Sequence, residues 1–198
     1  MKRLIILTLA CFIHLLSNAQ LDKGNFLLGG SGNFYTYKEN YRSANVDFDA
    51  NYTDINLNAS LGYFVADKLV LGIKPTFSST KGNSSGGGTT NAYQIGIGPF
   101  VRYYFLKEDK PFNFLSEVSY QIGSNRYLSQ VKEKGKNNNF SILAGPEIFF
   151  NTTVGLELLF GYSVQTVSIT NSPGEFINKK SGFQTSIGFQ IHLDNFKN

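Results

Sequence analysis

Residues 144–164 read AGPEIFFNTTVGLELLFGYSV, and two carboxylates, Glu147 and Glu157, interrupt this otherwise apolar stretch. They stand at equal distance on either side of Asn151-Thr152-Thr153. Two facing carboxylates can divide general acid and general base work, or supply oxygen ligands to a cation. Either use needs a groove, a nucleophile or a histidine at the same level, and the sequence offers none beside them. His192 is the other chemically able residue, because a Ser-His-carboxylate set is the mechanism of many lipid-active hydrolases. Its alternation places it inward and low on the last strand, away from any rim that lipid could reach, so it reads as an isolated polar residue. Gly86-Gly87-Gly88 lacks the strand–loop–helix setting of a phosphate-binding loop and reads as a flexible tip. The expectation is no catalytic residue, no cofactor and no metal; the charges form a structural network.

The N-terminus bears on where that network resides. Lys2 and Arg3 precede an apolar run from Leu4 to Leu16, and Ser17-Asn18-Ala19 puts small residues at the positions that precede a cut. This is the pattern of a secretory signal, residues 1–19, cleaved after Ala19. A lipid-modified Cys11 is the rival reading. Cleavage removes the single cysteine and the first of two histidines, so the exported chain has neither a disulfide framework nor a cysteine metal site. With Lys2 and Arg3 gone, the 18 basic residues fall to 16 against 14 acidic ones, which excludes a nucleic-acid footprint. Residues 20–198 have the length of one domain. They hold no apolar run long enough for a membrane-spanning helix.

The remainder is rich in period-two alternation. Residues 55–64, 69–79, 93–105, 112–123, 140–150, 154–164 and 183–193 each set apolar side chains on one face and Gly, Ser, Asn, Gln or charge on the other. A less regular first strand covers 25–37, making eight. The connections alternate in length: long over 38–53, 80–91, 124–139 and 169–181, short at 66–68, 107–111 and 151–153. Consecutive antiparallel strands put alternate turns at the same end, so every long loop shares one end. That is the layout of an outer-membrane barrel with extracellular loops and periplasmic turns.

Three features select a membrane barrel over a soluble one. The polar face is built of small residues suited to a narrow lumen. The apolar face carries aromatics in two bands, Tyr63, Tyr103, Phe105, Phe112 and Phe150 beside the short turns, and Phe77, Tyr93, Tyr120, Phe140, Tyr162 and Phe183 toward the long ones. Several strands are long enough to cross a bilayer when tilted, and only a closed barrel satisfies their backbone there. The expected fold is all-β, an eight-stranded antiparallel up-and-down transmembrane barrel.

The segments LLGGSGNF, LGIKPTF, IGIGPFVRYYF, ILAGPEIFF and SIGFQIHL, with the signal sequence, resemble the outer-membrane β-barrel domain family, the small OmpA/OmpX-like barrels of Bacteroidetes-type bacteria. The resemblance implies insertion by the outer-membrane assembly machinery and no specific activity. Such barrels often end on an aromatic, whereas here Leu193 is followed by Asp194-Asn195-Phe196-Lys197-Asn198.

A three-residue hairpin at 151–153 pairs Phe150 with Val154 and sets Glu147 opposite Glu157 in the lumen. Opposed like charges in a sheet are unfavourable unless compensated. Lys74, Arg102 and Glu117 fall at comparable depth, so five charges make one layer, with one carboxylate in excess of the bases. The function expected is structural or surface-interacting, the lumen closed by this layer. The alternatives are a narrow porin-like channel and a lipid-modifying enzyme. The expected partners are outer-membrane lipid, lipopolysaccharide (met by the basic run Lys132, Lys134, Lys136) and the assembly machinery, with the barrel a monomer.

Overall fold

The computed structural model describes residues 21–43, 46–85, 88–107, 110–128, 132–171 and 174–194. The signal sequence, Gly86-Gly87 and the terminal Phe196 lie outside these residues. Ten strand segments follow one another: β1 (Phe26–Ser43), β2 (Val46–Ala66), β3 (Leu69–Ile73), β4 (Thr76–Ser84), β5 (Thr89–Ile97), β6 (Pro99–Tyr104), β7 (Phe112–Leu128), β8 (Lys132–Phe149), β9 (Val154–Asn171) and β10 (Gly174–Leu193).

They make eight staves. The pairing of β2 runs in one register from β3 into β4, and that of β7 from β6 into β5, so each pair of segments is a single strand with a local break. The breaks fall at Lys74-Pro75 and Gly98 and face each other, with the Lys74 N–H donating to the Gly98 carbonyl at 2.7 Å. Pro75 has no N–H to give to the ladder, which is a reason for the interruption. Each stave is antiparallel to its neighbours, and β1 pairs with both β2 and β10. The ring is therefore closed: an all-β, eight-stranded up-and-down barrel.

The apolar face of each stave looks outward. Ile95, Ile97, Ile122, Ile142 and Leu57 all expose about half their surface, whereas Arg102, Glu147 and His192 expose none. Both aromatic bands lie on this outer face except Tyr93, which is half-buried.

Two expectations are corrected here. The four long connections read as loops are strand for most of their length, so β1, β2 and β7 to β10 run 17 to 21 residues. The basic run 132–136 accordingly belongs to β8, although the side chains of Lys132 and Lys134 lie outside the described residues. The second correction concerns the lumen, which is not polar throughout. Phe64, Phe100, Tyr104, Leu115, Leu143, Phe149 and Leu159 point inward in the lower half of the lumen and form an apolar stopper with Leu27 and Val70. Leu21 completes it from below, fixed by hydrogen bonds from Lys68 N–H to the Leu21 carbonyl (2.8 Å) and from Gly24 N–H to the Phe64 carbonyl (2.9 Å). Lys68 accepts a left-handed φ of 67° in the tight turn that makes this docking possible.

Candidate functional site: a charged layer in the lumen

The charged layer is interleaved with the stopper: along β6, β8 and β9, Phe100, Leu143 and Leu159 lie on the long-loop side of Arg102, Glu147 and Glu157, and Tyr104 and Phe149 on the short-turn side. Arg102 on β6 is the ladder partner of Glu117 on β7, and Glu147 on β8 is the ladder partner of Glu157 on β9. The second pairing depends on the hairpin at 150–153. Asn151 folds back so that its Oδ1 accepts the N–H groups of Thr153 (2.8 Å) and Val154 (2.7 Å). Phe150 N–H then donates to the Val154 carbonyl at 2.8 Å.

Arg102 is the centre of the layer. Its Nε and Nη2 donate to Glu117 Oε2 at 3.1 and 2.7 Å, and its Nη1 donates to Tyr104 Oη at 3.3 Å. Nη1 also lies 2.9 Å from Glu157 Oε2, a charge contact without the alignment of a hydrogen bond. The other Glu117 oxygen takes the Lys74 ammonium. Both cations rest over the Phe100 ring, with Lys74 Nζ 5.4 Å and Arg102 Cζ 5.9 Å from its centroid. The layer thus touches the stopper through an aromatic face that attracts cations.

Glu147 does not share Arg102 through a direct contact. Its Oε1 lies 2.8 Å from His192 Nε2, and with the proton on Nε2 the ring donates to the carboxylate. His192 is fully buried, ringed by Phe149, Tyr104 and Phe64 at centroid separations of 5.3, 5.8 and 6.0 Å. The sequence reading of His192 as isolated, with no histidine at the level of the glutamates, is therefore wrong. His192 thus supplies the side-chain partner of the carboxylate that neither Arg102 nor Lys74 contacts.

Two glycines make room for the carboxylates. A Cβ on Gly155 would come within 2.2 Å of Glu147 Oε1, and one on Gly188, the ladder partner of Glu157, within 3.1 Å of Glu157 Oε1. Glycine at these inward positions lets each carboxylate lie across the neighbouring stave.

Of the five residues expected to share a layer, Lys74, Glu117, Arg102 and Glu157 are joined by charge contacts, and Glu147, the ladder partner of Glu157, contacts His192; His192 and Tyr104 are neighbours the sequence reading did not include. The layer offers a substrate little room. Glu117 and Glu157 are committed to cations, His192 is walled by aromatics, and no group of three or more His, Cys, Asp or Glu suited to a metal ion occurs among the described residues.

Above the layer the inward side chains are amides and hydroxyls. Asn139 Nδ2 donates to Gln121 Oε1 at 3.0 Å, Asn137 Nδ2 to Asn125 Oδ1 at 2.5 Å, and Ser119 and Ser141 share a hydrogen bond of 2.7 Å.

Among solved structures, the chain is similar to Neisserial surface protein A (NspA), at 15% identity and a TM-score of 0.49, over 84% of this chain and 96% of that one. It is also similar to the outer membrane protein OprG from Pseudomonas aeruginosa, at 12% identity and a TM-score of 0.48, over 90% of this chain and 100% of that one. No family model and no curated protein matches the chain.

Proposed function

We propose that this chain is an integral outer-membrane barrel with a structural or surface-interacting role, its lumen closed near the periplasmic end, and that it carries out no catalysis. The observation that carries the membrane reading is the direction of the apolar face. A closed ring that turns isoleucine, leucine and phenylalanine outward along every stave has no soluble solution, since a continuous exposed apolar girdle in water drives aggregation. In lipid the same girdle is the stable arrangement, and ring closure leaves backbone groups paired. The signal sequence, the assembly machinery as inserting partner and lipopolysaccharide as neighbour belong to this reading.

Closure follows from one plug, in which the apolar cluster is interleaved with a layer whose charges are engaged with one another. An eight-stranded barrel has only enough interior for its side chains, so no bypass remains beside them.

The test is fractionation of the expressed full-length chain, followed by gel migration with and without heating and by planar-bilayer conductance. Recovery in the outer membrane, heat-dependent migration and a silent bilayer are expected. Steady unitary conductance would replace the closed reading with that of a narrow channel; recovery in the soluble fraction would end the membrane reading itself.

A further inference from the structure

The wall is not closed along its whole height. β1 and β10 pair from Phe26–Leu193 to Ser31–Gly188, and no further β1–β10 pairing occurs among the described residues. Both strands continue well past this point, β1 to Ser43 and β10 back to Gly174, each paired on its other side throughout. The seam therefore stands open from about mid-height outward. It opens while still within the apolar belt, since Ile187 lies just past the last pair, and Phe183, partner of Tyr162 in the upper aromatic band, lies further up. Phe183 is 93% exposed, and Phe34 on the β1 side is 66% exposed.

Unpaired backbone at membrane depth is tolerated only where it is buried in protein or lines a water-filled cavity. Such a cavity is present. A space of about 530 Å³ fills the outer half of the lumen, walled by Asn56, Asn58, Gln94, Asn139 and Gln165 among other amides and hydroxyls. Its volume lies within the ~300–1,000 Å³ usual for small-molecule sites. On β10 it is lined by five consecutive residues, Lys180 to Gln184. Alternate residues of a strand face opposite sides, so a space touching five in a row passes round the strand's free edge. Lumen and seam are one space. Gln121, only 3% exposed and lining it, has a side-chain Nε2 with no hydrogen-bond partner among the described residues.

We propose that this space binds an amphiphile of the outer leaflet, its polyhydroxylated head group held among the carboxamides and its acyl tail leaving through the open seam past Phe183 and Ile187. The lining supports the head-group chemistry. Carboxamides both donate and accept, as sugar hydroxyls do, and no carboxylate lines the space. The seam supports the tail, because apolar side chains flank its outer lip. A strand from a second copy would satisfy the free edges yet leave Gln121 Nε2 without a partner among the described residues. The floor is the charged layer, so the site is a blind vestibule and not a passage.

This inference rests on the membrane reading above, and its test separates the two. The full-length chain is purified and placed in phosphatidylcholine nanodiscs containing a minor fraction of diglucosyl diacylglycerol, and retained lipid is counted by native mass spectrometry. One glycolipid per barrel is expected, enriched over its bulk fraction. Continuing the Ser31–Gly188 register brings Gly32 opposite Ile187, so Gly32→Cys with Ile187→Cys staples the seam. Oxidised, this variant should lose about tenfold in retention, the equivalent of ~1.4 kcal/mol, and recover it on reduction. Gln121→Leu should lower retention while heat-dependent migration persists. Glycolipid retained no better than phosphatidylcholine, retention indifferent to the staple, or a mass showing paired barrels would overturn the proposal. A chain that fails to enter the nanodisc would instead overturn the membrane reading.

Discussion

Below Ser31 and Gly188 the barrel is paired on every side, and its interior is filled by Phe64, Phe100, Tyr104, Phe149 and the charged layer among them. Above that level the same eight staves enclose amides, hydroxyls and a cavity, with the β1–β10 seam unpaired. The backbone is nearly the same in both halves; the difference lies in what the inward positions hold. In the lower half, charges desolvated against aromatic rings are held in fixed pairs. Burying an ion costs far more than burying an amide, so each must be matched by a partner of opposite sign. In the upper half, amides facing water can change partners at little cost. One half is built to stay as it is, and the other to accept something.

The largest effect should come from removing the ion that holds the lower half together. Arg102→Ala leaves Glu117 with Lys74 alone and Glu157 with no cation contact, both carboxylates being buried. Breaking a buried pair by deleting one partner costs about 3–5 kcal/mol. Urea titration in lipid vesicles, following heat-dependent migration, should show a loss of that size, and an unchanged midpoint would refute the closed lower half. Glu157→Gln in the same background should recover part of it, because it withdraws the carboxylate left with fewest cations.

A second substitution contrasts inside with outside. Ile142 faces outward at 49% exposure, and its β7 partner is Val118. An arginine there costs about 2–4 kcal/mol if the face meets the bilayer midplane, and close to nothing if it meets water. Ile142→Arg in vesicles compared with the same variant in urea-free detergent micelles measures this directly. A neutral outcome in vesicles would put water, not lipid, on the apolar face.

Intermediate effects belong to the second carboxylate pair. His192→Phe keeps the aromatic volume but takes from Glu147 Oε1 its partner at 2.8 Å. A buried acceptor left unsatisfied costs about 1–3 kcal/mol, more when charged. Glu147→Gln together with His192→Phe should cost less than the sum of the single changes, since each removes what the other needs. Strict additivity in the unfolding midpoints would mean that the two do not act as a pair.

Strand register accounts for what could be foreseen here. Glu147 against Glu157 follows from counting across Asn151-Thr152-Thr153, because ladder partners are fixed by the turn. The eight staves were legible where one face meets an apolar medium and the other does not. They ceased to be legible at 38–53, 124–139 and 169–181, where both faces are polar and period-two contrast vanishes although the strands continue. The apolar stopper was hidden by the opposite problem, since apolar residues occupy both faces at once. Its signal was nonetheless present as Tyr63-Phe64, Tyr103-Tyr104 and Phe149-Phe150, where one ring faces out and its neighbour is buried. The Glu147–His192 contact spans β8 and β10, which are separated by β9, so it reaches over Gly155 and no single pair of neighbouring strands reveals it.

The smallest effect is the one that separates the halves most sharply. Gln165 Nε2 donates to Gln94 Oε1 across the vestibule at 3.4 Å, long for a hydrogen bond, and both side chains are only partly buried. Gln165→Ala removes a contact that water replaces on both sides, so stability should change by less than about 0.5 kcal/mol. Unfolding midpoints would read that near-neutrality, and glycolipid retention in the nanodisc should fall, because the lost carboxamide is part of the head-group wall. A substitution that leaves the fold untouched yet alters retention is what an accepting half predicts. A loss of stability comparable to that of His192→Phe would instead mean that the amides are structural like the charges beneath them, and that the two halves differ only in polarity.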